Sequence, residues 1–276
     1  MQNEWLFRSD QGGDIPVLEA AKLGGCTAHH AFIRAFETRS YGDPSQDYLI
    51  YRLNGEQLTF AVCDGVGMSF QGGFAARFLG KRLHEWLCGH PSPLGLSLGQ
   101  LERELLEWTK DATRLTRELP LPPDTVPMLR SVLEEKRASG SEAMFACGSL
   151  MFPRQGREGK LSLYWSGDIR VRLWQEGQEL ALQGDPTYQT NQRWSTLRGA
   201  IGGSPMELHL TWEEQDSLRL LVYTDGGSNL DAGLSLPDLA HIQHVLQEAA
   251  AEPSSDDITV LHVDWPGGTK GGRVIE

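Results

Sequence analysis

An α+β layered domain, rather than an alternating βαβ fold, is what this sequence predicts. Strand-like runs lie early and late in the chain, long amphipathic helical stretches lie between them, and glycine turns punctuate the late strands. At 276 residues the chain falls in the size range of one large domain, so a single unit over 1–265 is expected, with 1–30 as an extension packed on it and 266–276 as a flexible tail.

Trp5 to Phe7 reads as a strand, followed by a loop-rich approach carrying Gly12, Gly13, Gly24 and Gly25. AFIRAFET and DYLIYRL are rich in β-branched and aromatic residues and are separated by the turn-forming YGDPSQ, which predicts two neighbouring strands. Leu58 to Cys63 (LTFAVC) is an unbroken apolar run of strand length, the pattern of a strand covered on both faces; it ends at Asp64-Gly65-Val66-Gly67. Helical spacing of Phe74, Phe78, Leu83 and Leu87 predicts a helix from Gly73 to Leu87, and Leu101, Leu105, Trp108 and Leu115 predict a second. The proline-rich stretch 119–127 breaks it, and a helix resumes over Thr125 to Ser139. MFACGSLMF, KLSLYWSG, IRVRLWQEG, QELALQ, SLRLLVYTDG and DITVLHVDW then read as strands, interrupted by a helix from Pro237 to Ala251.

Bulk properties exclude several function classes. A formal net charge of -12 disfavours nucleic acid or anionic membrane as the main partner, since both reward clustered Lys and Arg. Cys26, Cys63, Cys88 and Cys147 lack the close spacing of a zinc or redox pair and read as buried, reduced thiols. With no secretory leader pattern at the start and no long apolar span, a soluble cytoplasmic protein is expected. There is no G-x-S-x-G elbow and no cysteine leading into a phosphate-cradling arginine loop, which argues against serine-hydrolase and cysteine-phosphatase chemistry.

The informative residues are aspartates at strand ends: Asp64 in FAVCDGVG, Asp168 in SGDIRVRLW and Asp225 in YTDGG, each beside glycine, and Asp256 with Asp257 just before ITVLHV. A strand end holds a carboxylate on rigid backbone, and the adjoining glycine lets a ligand approach main-chain carbonyls. Hard divalent cations want such oxygens. Aspartate beside glycine is also ordinary turn chemistry, so no one position carries the argument.

The order of these motifs resembles the type 2C, or PPM, metal-dependent serine/threonine phosphatases in their bacterial form. SQDYLIY is similar to the first acidic motif, FAVCDGVGMSFQGGFAA to the Asp-Gly metal motif running into the first long helix, and FACGSLMF to the Gly-Thr-Thr strand. SGDIRVRLW resembles the Gly-Asp-Ser-Arg strand pair, and YTDGGSN and SDDITVLHV the closing Ser-Asp-Gly and Asp-Asn-x-Thr-Val motifs. The resemblance runs from about Ala31 to Trp265 and implies a four-layer α-β-β-α sandwich of two antiparallel sheets flanked by helices, with two or three Mn²⁺ or Mg²⁺ ions at one end.

Residue by residue, it implies that Asp64 bridges two ions, that the Gly65 carbonyl serves the second, and that Asp225 and Asp256 hold the first. Asp168 with Asp225 would form a third site, Gln46 and Asp47 would act one step further out through water, and Asp257 stands beside the ligands where the family usually has Asn. The implied reaction is hydrolysis of phosphoserine or phosphothreonine by metal-activated water, with a phosphoprotein substrate and a cognate serine/threonine kinase or its targets as partners. A catalytically inactive binding module and a phosphatase of small metabolites are the competing readings.

The sequence departs from the family at three places. Gly42 stands where many members have a phosphate-binding Arg, leaving Arg39 as the nearest candidate; Val66 replaces a His found in some relatives; and Asn229 replaces a common Asp, while Gln46 stands where the motif has Glu or Gln. His29 and His30 are expected as packing or solvent-facing residues, and Trp86, Trp108, Trp165 and Trp174 as core. Residues 187–203 fall where members carry a flap over the site.

Overall fold

The computed structural model describes residues 4–90, 95–123, 125–154, 156–182, 190–232 and 236–268. Residues 187–189 of the expected flap and 269–276 of the expected tail lie outside these. In chain order the elements are β1 (Glu4–Arg8), β2 (Ile15–Leu23), β3 (Cys26–Ile33), α1 (Phe36–Tyr41), β4 (Tyr48–Asn54), β5 (Gln57–Gly65) and α2 (Gly72–Cys88). Next come α3 (Leu98–Glu107), α4 (Thr109–Glu118), α5 (Pro127–Ser139), β6 (Glu142–Met151), β7 (Gly159–Ser166), β8 (Arg170–Gln175) and β9 (Gln178–Glu179). The chain continues through β10 (Arg193–Ser195), β11 (Gly199–Ile201), β12 (Met206–Trp212), β13 (Leu218–Tyr223), a 3-10 segment at Asp225–Asp231, α6 (Leu239–Ala251) and β14 (Ile258–Trp265).

Two antiparallel sheets face each other. One runs β1-β4-β5-β6; the far edge of β6 is shared, its first residues pairing with β10 and the remainder with β7, which pairs in turn with β12. The other runs β2-β3-β14-β13-β8-β9. Alternation along β5 explains its unbroken apolar run: Phe60 and Val62 point between the sheets at Leu220, Val222, Leu261 and Val263, while Ala61 and Cys63 point outward beneath Leu79 and Leu83 of α2. On the opposite outer face, Ile242, Val245 and Leu246 of α6 cover Val260, Leu221 and Tyr223. The architecture is therefore the expected helix-sheet-sheet-helix sandwich. No described helix is long and apolar enough to cross a membrane.

Four local expectations are corrected. The loop-rich stretch before residue 30 is instead the β2–β3 hairpin, turned by Gly24 and Gly25 at φ 61 and 89. AFIRAFET is not one strand: β3 stops at Ile33 and α1 begins at Phe36, and β3 and β4 belong to different sheets rather than lying side by side. The single helix expected through Trp108 is two, α3 and α4, meeting at that residue. Of QELALQ only Gln178–Glu179 is strand, and β10, β11 and β12 are strands beyond those the sequence predicts. The four tryptophans named above are buried, as are three of the cysteines; Cys88 is half-buried, and all four thiols are free.

Candidate metal centre

The carboxylates gather at one end of the sandwich because several strands finish there. Tyr48 pairs with Cys63, so Asp47 and Asp64, one residue further on each strand, stand side by side. On the other flank of β5, Asp64 pairs with Met144, whose thioether accepts the Asp168 N–H at 3.4 Å. From the second sheet, Thr224 follows β13. Its hydroxyl donates to Asp47 Oδ2 at 2.8 Å and accepts the Thr259 N–H at 2.9 Å, tying the ends of β13 and β14 to β4. Asp225 comes next, and Gly226 packs so closely on the Asp256–Asp257 turn that a Cβ there would lie 2.2 Å from the Asp257 carbonyl oxygen. Gly65 is equally constrained, since a Cβ would meet the Gly72 carbonyl carbon at 2.3 Å. This contact presses the Asp64 turn onto the start of α2.

Each carboxyl senses the others. Burial, and then the charges of Asp225, Asp168, Asp256 and Asp257, push Asp64 well above the usual carboxylate range. Fully enclosed Asp47 is also pushed well up, by burial and then by Asp64 and Asp257, against the hydrogen bond from Thr224. Burial raises Asp168, opposed by Arg170 and reinforced by Asp256. Burial raises Asp225 as well, with Asp168 adding to it and Arg170 opposing. Asp256, the most open of them, is raised by partial enclosure; the Asp257 N–H at 2.7 Å opposes this, while the charges of Asp225 and Asp257 add to it. Arg170 lies against this group, donating from Nη1 to the Asp168 carbonyl at 2.6 Å and reaching Asp231 at 3.4 Å.

The remaining predicted residues take distinct places. Asp257 is a buried clamp: Oδ1 accepts the Ala35 N–H at 2.7 Å, and Oδ2 accepts the Gln46 N–H at 2.6 Å and the Ser45 hydroxyl at 2.9 Å. Gln46 in turn accepts the Gly65 N–H on its carbonyl at 3.1 Å. Asn229 lines a cleft of about 450 Å³ together with Asp225 and Asp256. Arg39 is directed elsewhere, its guanidinium donating to the Ala250 carbonyl at the end of α6. Gly42 is the residue that ends α1, at φ 71, a left-handed conformation in which an arginine would be strained. The Val66 N–H donates to the Glu142 carbonyl at 3.0 Å. His30 is buried and hydrogen-bonded to Tyr51 at 3.1 Å, and His29 faces His262, so both act in packing.

Sequence reasoning missed Gln11. Its buried side-chain amide reaches the carbonyls of Ser45, Asp47 and Gly73, each at 3.0 Å, and so binds the first acidic motif to α2. A glutamine in a QGGD turn carries no signal of this. Thr224 was legible only as the residue before Asp225.

These residues fit a divalent cation in donor chemistry. They offer hard oxygens only, their like charges raise one another's proton affinity, and buried Asp168 Oδ1 has no hydrogen-bond partner. Among the described residues, no three His, Cys, Asp or Glu side chains stand as a finished coordination group. The carboxylates are electrostatic neighbours around a shared end of the sandwich.

No protein-family model and no curated protein sequence matches the chain. Solved structures do. RsbX in complex with magnesium aligns with a TM-score of 0.55 at 14% identity, covering 90% of this chain and 99% of that one. A bacterial serine phosphatase aligns at 0.55 and 14%, covering 87% and 98%. The serine/threonine phosphatase Stp1 from Staphylococcus aureus aligns at 0.50 and 12%, covering 96% and 94%. At such identities the likeness is one of fold, and it extends over nearly the whole of each chain.

Proposed function

We propose that this chain, folded like the bacterial serine phosphatases, hydrolyses phosphoserine or phosphothreonine in proteins with the help of two or three divalent cations, Mn²⁺ or Mg²⁺. One observation carries the reading: aspartates delivered by both sheets meet at one end, where the charges of four others act on Asp64. Structural likeness to a bacterial serine phosphatase, and to RsbX, which is named with magnesium, supports it.

In this reading Asp64, the Gly65 carbonyl, Asp225 and Asp256 hold two cations, and Asp168 with Asp225 serves a third. When bound, such ions act as Lewis acids that activate water and offset charge on the phosphoryl oxygens, the demand a slowly hydrolysed monoester makes. The chain's own residues supply position. Thr224 fixes Asp47 beside Asp64, Asp257 fixes Gln46, and Gln46 holds the Gly65 backbone. Arg170 moderates the charge on Asp168 and Asp225 and so keeps the cluster tolerable.

The test is turnover of p-nitrophenyl phosphate and of phosphothreonine peptides with and without Mn²⁺, alongside small phosphorylated metabolites. Activity should require the metal and fall at least about 100-fold in Asp64→Asn. Mn²⁺ at about 100 times its Kd should add about 2.7 kcal/mol to wild-type stability and much less to the variant. A folded protein that is inert on every substrate and whose melting ignores Mn²⁺ defeats the reading, and faster turnover of metabolites than of peptides would redirect it.

A further inference from the structure

A second cleft, of about 470 Å³, lies on the α2 side of the carboxylates, between the Asp43–Gln46 lead-in to β4 and the first turns of α2. Its wall includes Gln46, Gly67 and Gly72. Gln46 holds the Gly65 backbone, and Gly72 packs directly on Gly65, so one layer of backbone separates this cleft from the Asp64 turn. Arg77 lines it and is the one cation among its described lining residues. It is exposed, and among the described residues no hydrogen bond or ion pair engages its guanidinium. Three other arginines at this end are occupied: Arg34 grips Asp14 through two nitrogens at 3.2 and 3.0 Å, Arg39 caps α6, and Arg170 serves Asp168.

The cleft on the opposite, α6 side has the reverse character. Glu248 and Glu252 line it beside Asp225 and Asp256, among the described residues no Lys or Arg contributes, and the two glutamates keep their charge when cations occupy the aspartates. An anionic side chain on a substrate would be repelled there and drawn to the α2 side, in a protein whose net charge of -12 otherwise discourages acidic ligands. Asp43 at the same cleft weakens any diffuse attraction, so a ligand gains only by reaching the guanidinium itself. Half-buried Phe74 and Thr38 provide a wall for the stem of such a side chain.

We propose that the Arg77 cleft is a subsite for an acidic side chain flanking the phosphorylated residue of a protein substrate. This rests on the phosphatase reading and adds to it a substrate preference and a direction across the site. The backbone of Gly72 and Gln46 stands between Arg77 and the carboxylates, so its partner is a neighbour of the scissile group and not the phosphoryl group itself.

The test uses the full chain with Mn²⁺ and matched phosphothreonine peptides carrying Glu or Gln beside the phosphothreonine. Wild type should favour the Glu peptide in kcat/KM by up to about five-fold, through KM, with the preference fading at high salt. Arg77→Gln should abolish the preference, Arg77→Glu reverse it, and Arg77→Lys retain part of it, while turnover of p-nitrophenyl phosphate stays unchanged in all three. A Glu preference that survives Arg77→Glu overturns the proposal. So does a loss of p-nitrophenyl phosphate turnover in Arg77→Gln equal to the loss on peptide, which would place Arg77 on the phosphoryl group. Should wild type turn over neither substrate, the phosphatase reading fails instead. Fluorescence anisotropy of the labelled Glu peptide then decides the subsite, because equal binding by wild type and Arg77→Glu overturns it.

Discussion

Replacing Asp257 by Asn, the residue usual at this place in the resembling family, should harm this chain. The carboxylate satisfies three donors from two distant segments: Ala35 N–H at 2.7 Å, Gln46 N–H at 2.6 Å and the Ser45 hydroxyl at 2.9 Å. An asparagine keeps one acceptor oxygen. Turned toward Ala35, it sets its NH₂ against the Gln46 N–H; turned the other way, it abandons Ala35. The Ser45 hydroxyl can rotate to accept instead, so one hydrogen bond to a carboxylate is lost and a backbone donor left unpaired, about 3–6 kcal/mol, and the relief of repulsion with Asp64, Asp47 and Asp256 offsets part of this, leaving about 2–4 kcal/mol. In a domain of this size each kcal/mol moves Tm by about 2–4 °C, so a fall of roughly 4–16 °C is expected, with Asp257→Ala falling further. Urea unfolding followed by tryptophan fluorescence in EDTA isolates the effect from metal binding, and the midpoint should drop at constant m. An Asn variant within about 0.5 kcal/mol of wild type, the usual scatter of surface substitutions, would refute the clamp.

Two more outcomes are expected. His262 is held near 4 by burial and by the neighbouring charge of His29, whereas the unfolded side chain titrates near 6.5. The unfolded state therefore takes up the proton first, and stability present above about pH 6.5 is lost as pH falls toward 4. Between pH 7 and 5, His262→Gln should lose about 1–2 kcal/mol less than wild type in paired urea titrations; identical pH profiles would contradict the assignment. Gly65→Ala must drive its Cβ into backbone 2.3 Å away, at a cost of about 1–3 kcal/mol or more and with the Asp64 turn displaced. Wild-type melting together with a wild-type Mn²⁺ response in that variant would show that the contact yields cheaply.

What was legible in the sequence was what local pattern determines. The run through Cys63, the helical spacing from Phe74 to Leu87 and the aspartate-glycine junctions all placed their elements, because burial on one or both faces leaves a periodic trace. The failures trace to partners far along the chain. AFIRAFET is a plausible strand until Asp257, 222 positions away, takes the Ala35 N–H and the backbone turns into α1. Edge strand β2 is mostly exposed and carries charge among its apolar residues, so nothing distinguished it from loop. β12 does alternate, so its pattern is legible in the sequence. At the site, Asp64, Asp168 and Asp225 announced themselves through the glycines beside them, and Asp256 through the apolar strand that follows. Gln11 and the Asp257 clamp did not, since their roles consist of hydrogen bonds to carbonyl and amide groups that any residue could offer.

Thr224 bonded to Asp47 joins β13 and β14 of one sheet to the start of β4 in the other. The carboxylates thus arrive from opposite halves of the molecule, and neither half alone carries a complete group. An ion held among them would rivet the two halves together, so its affinity would gauge how well they are seated. Loosening the interior at Phe60 or Leu261, far from any oxygen donor, would then weaken ion retention without altering a single ligand.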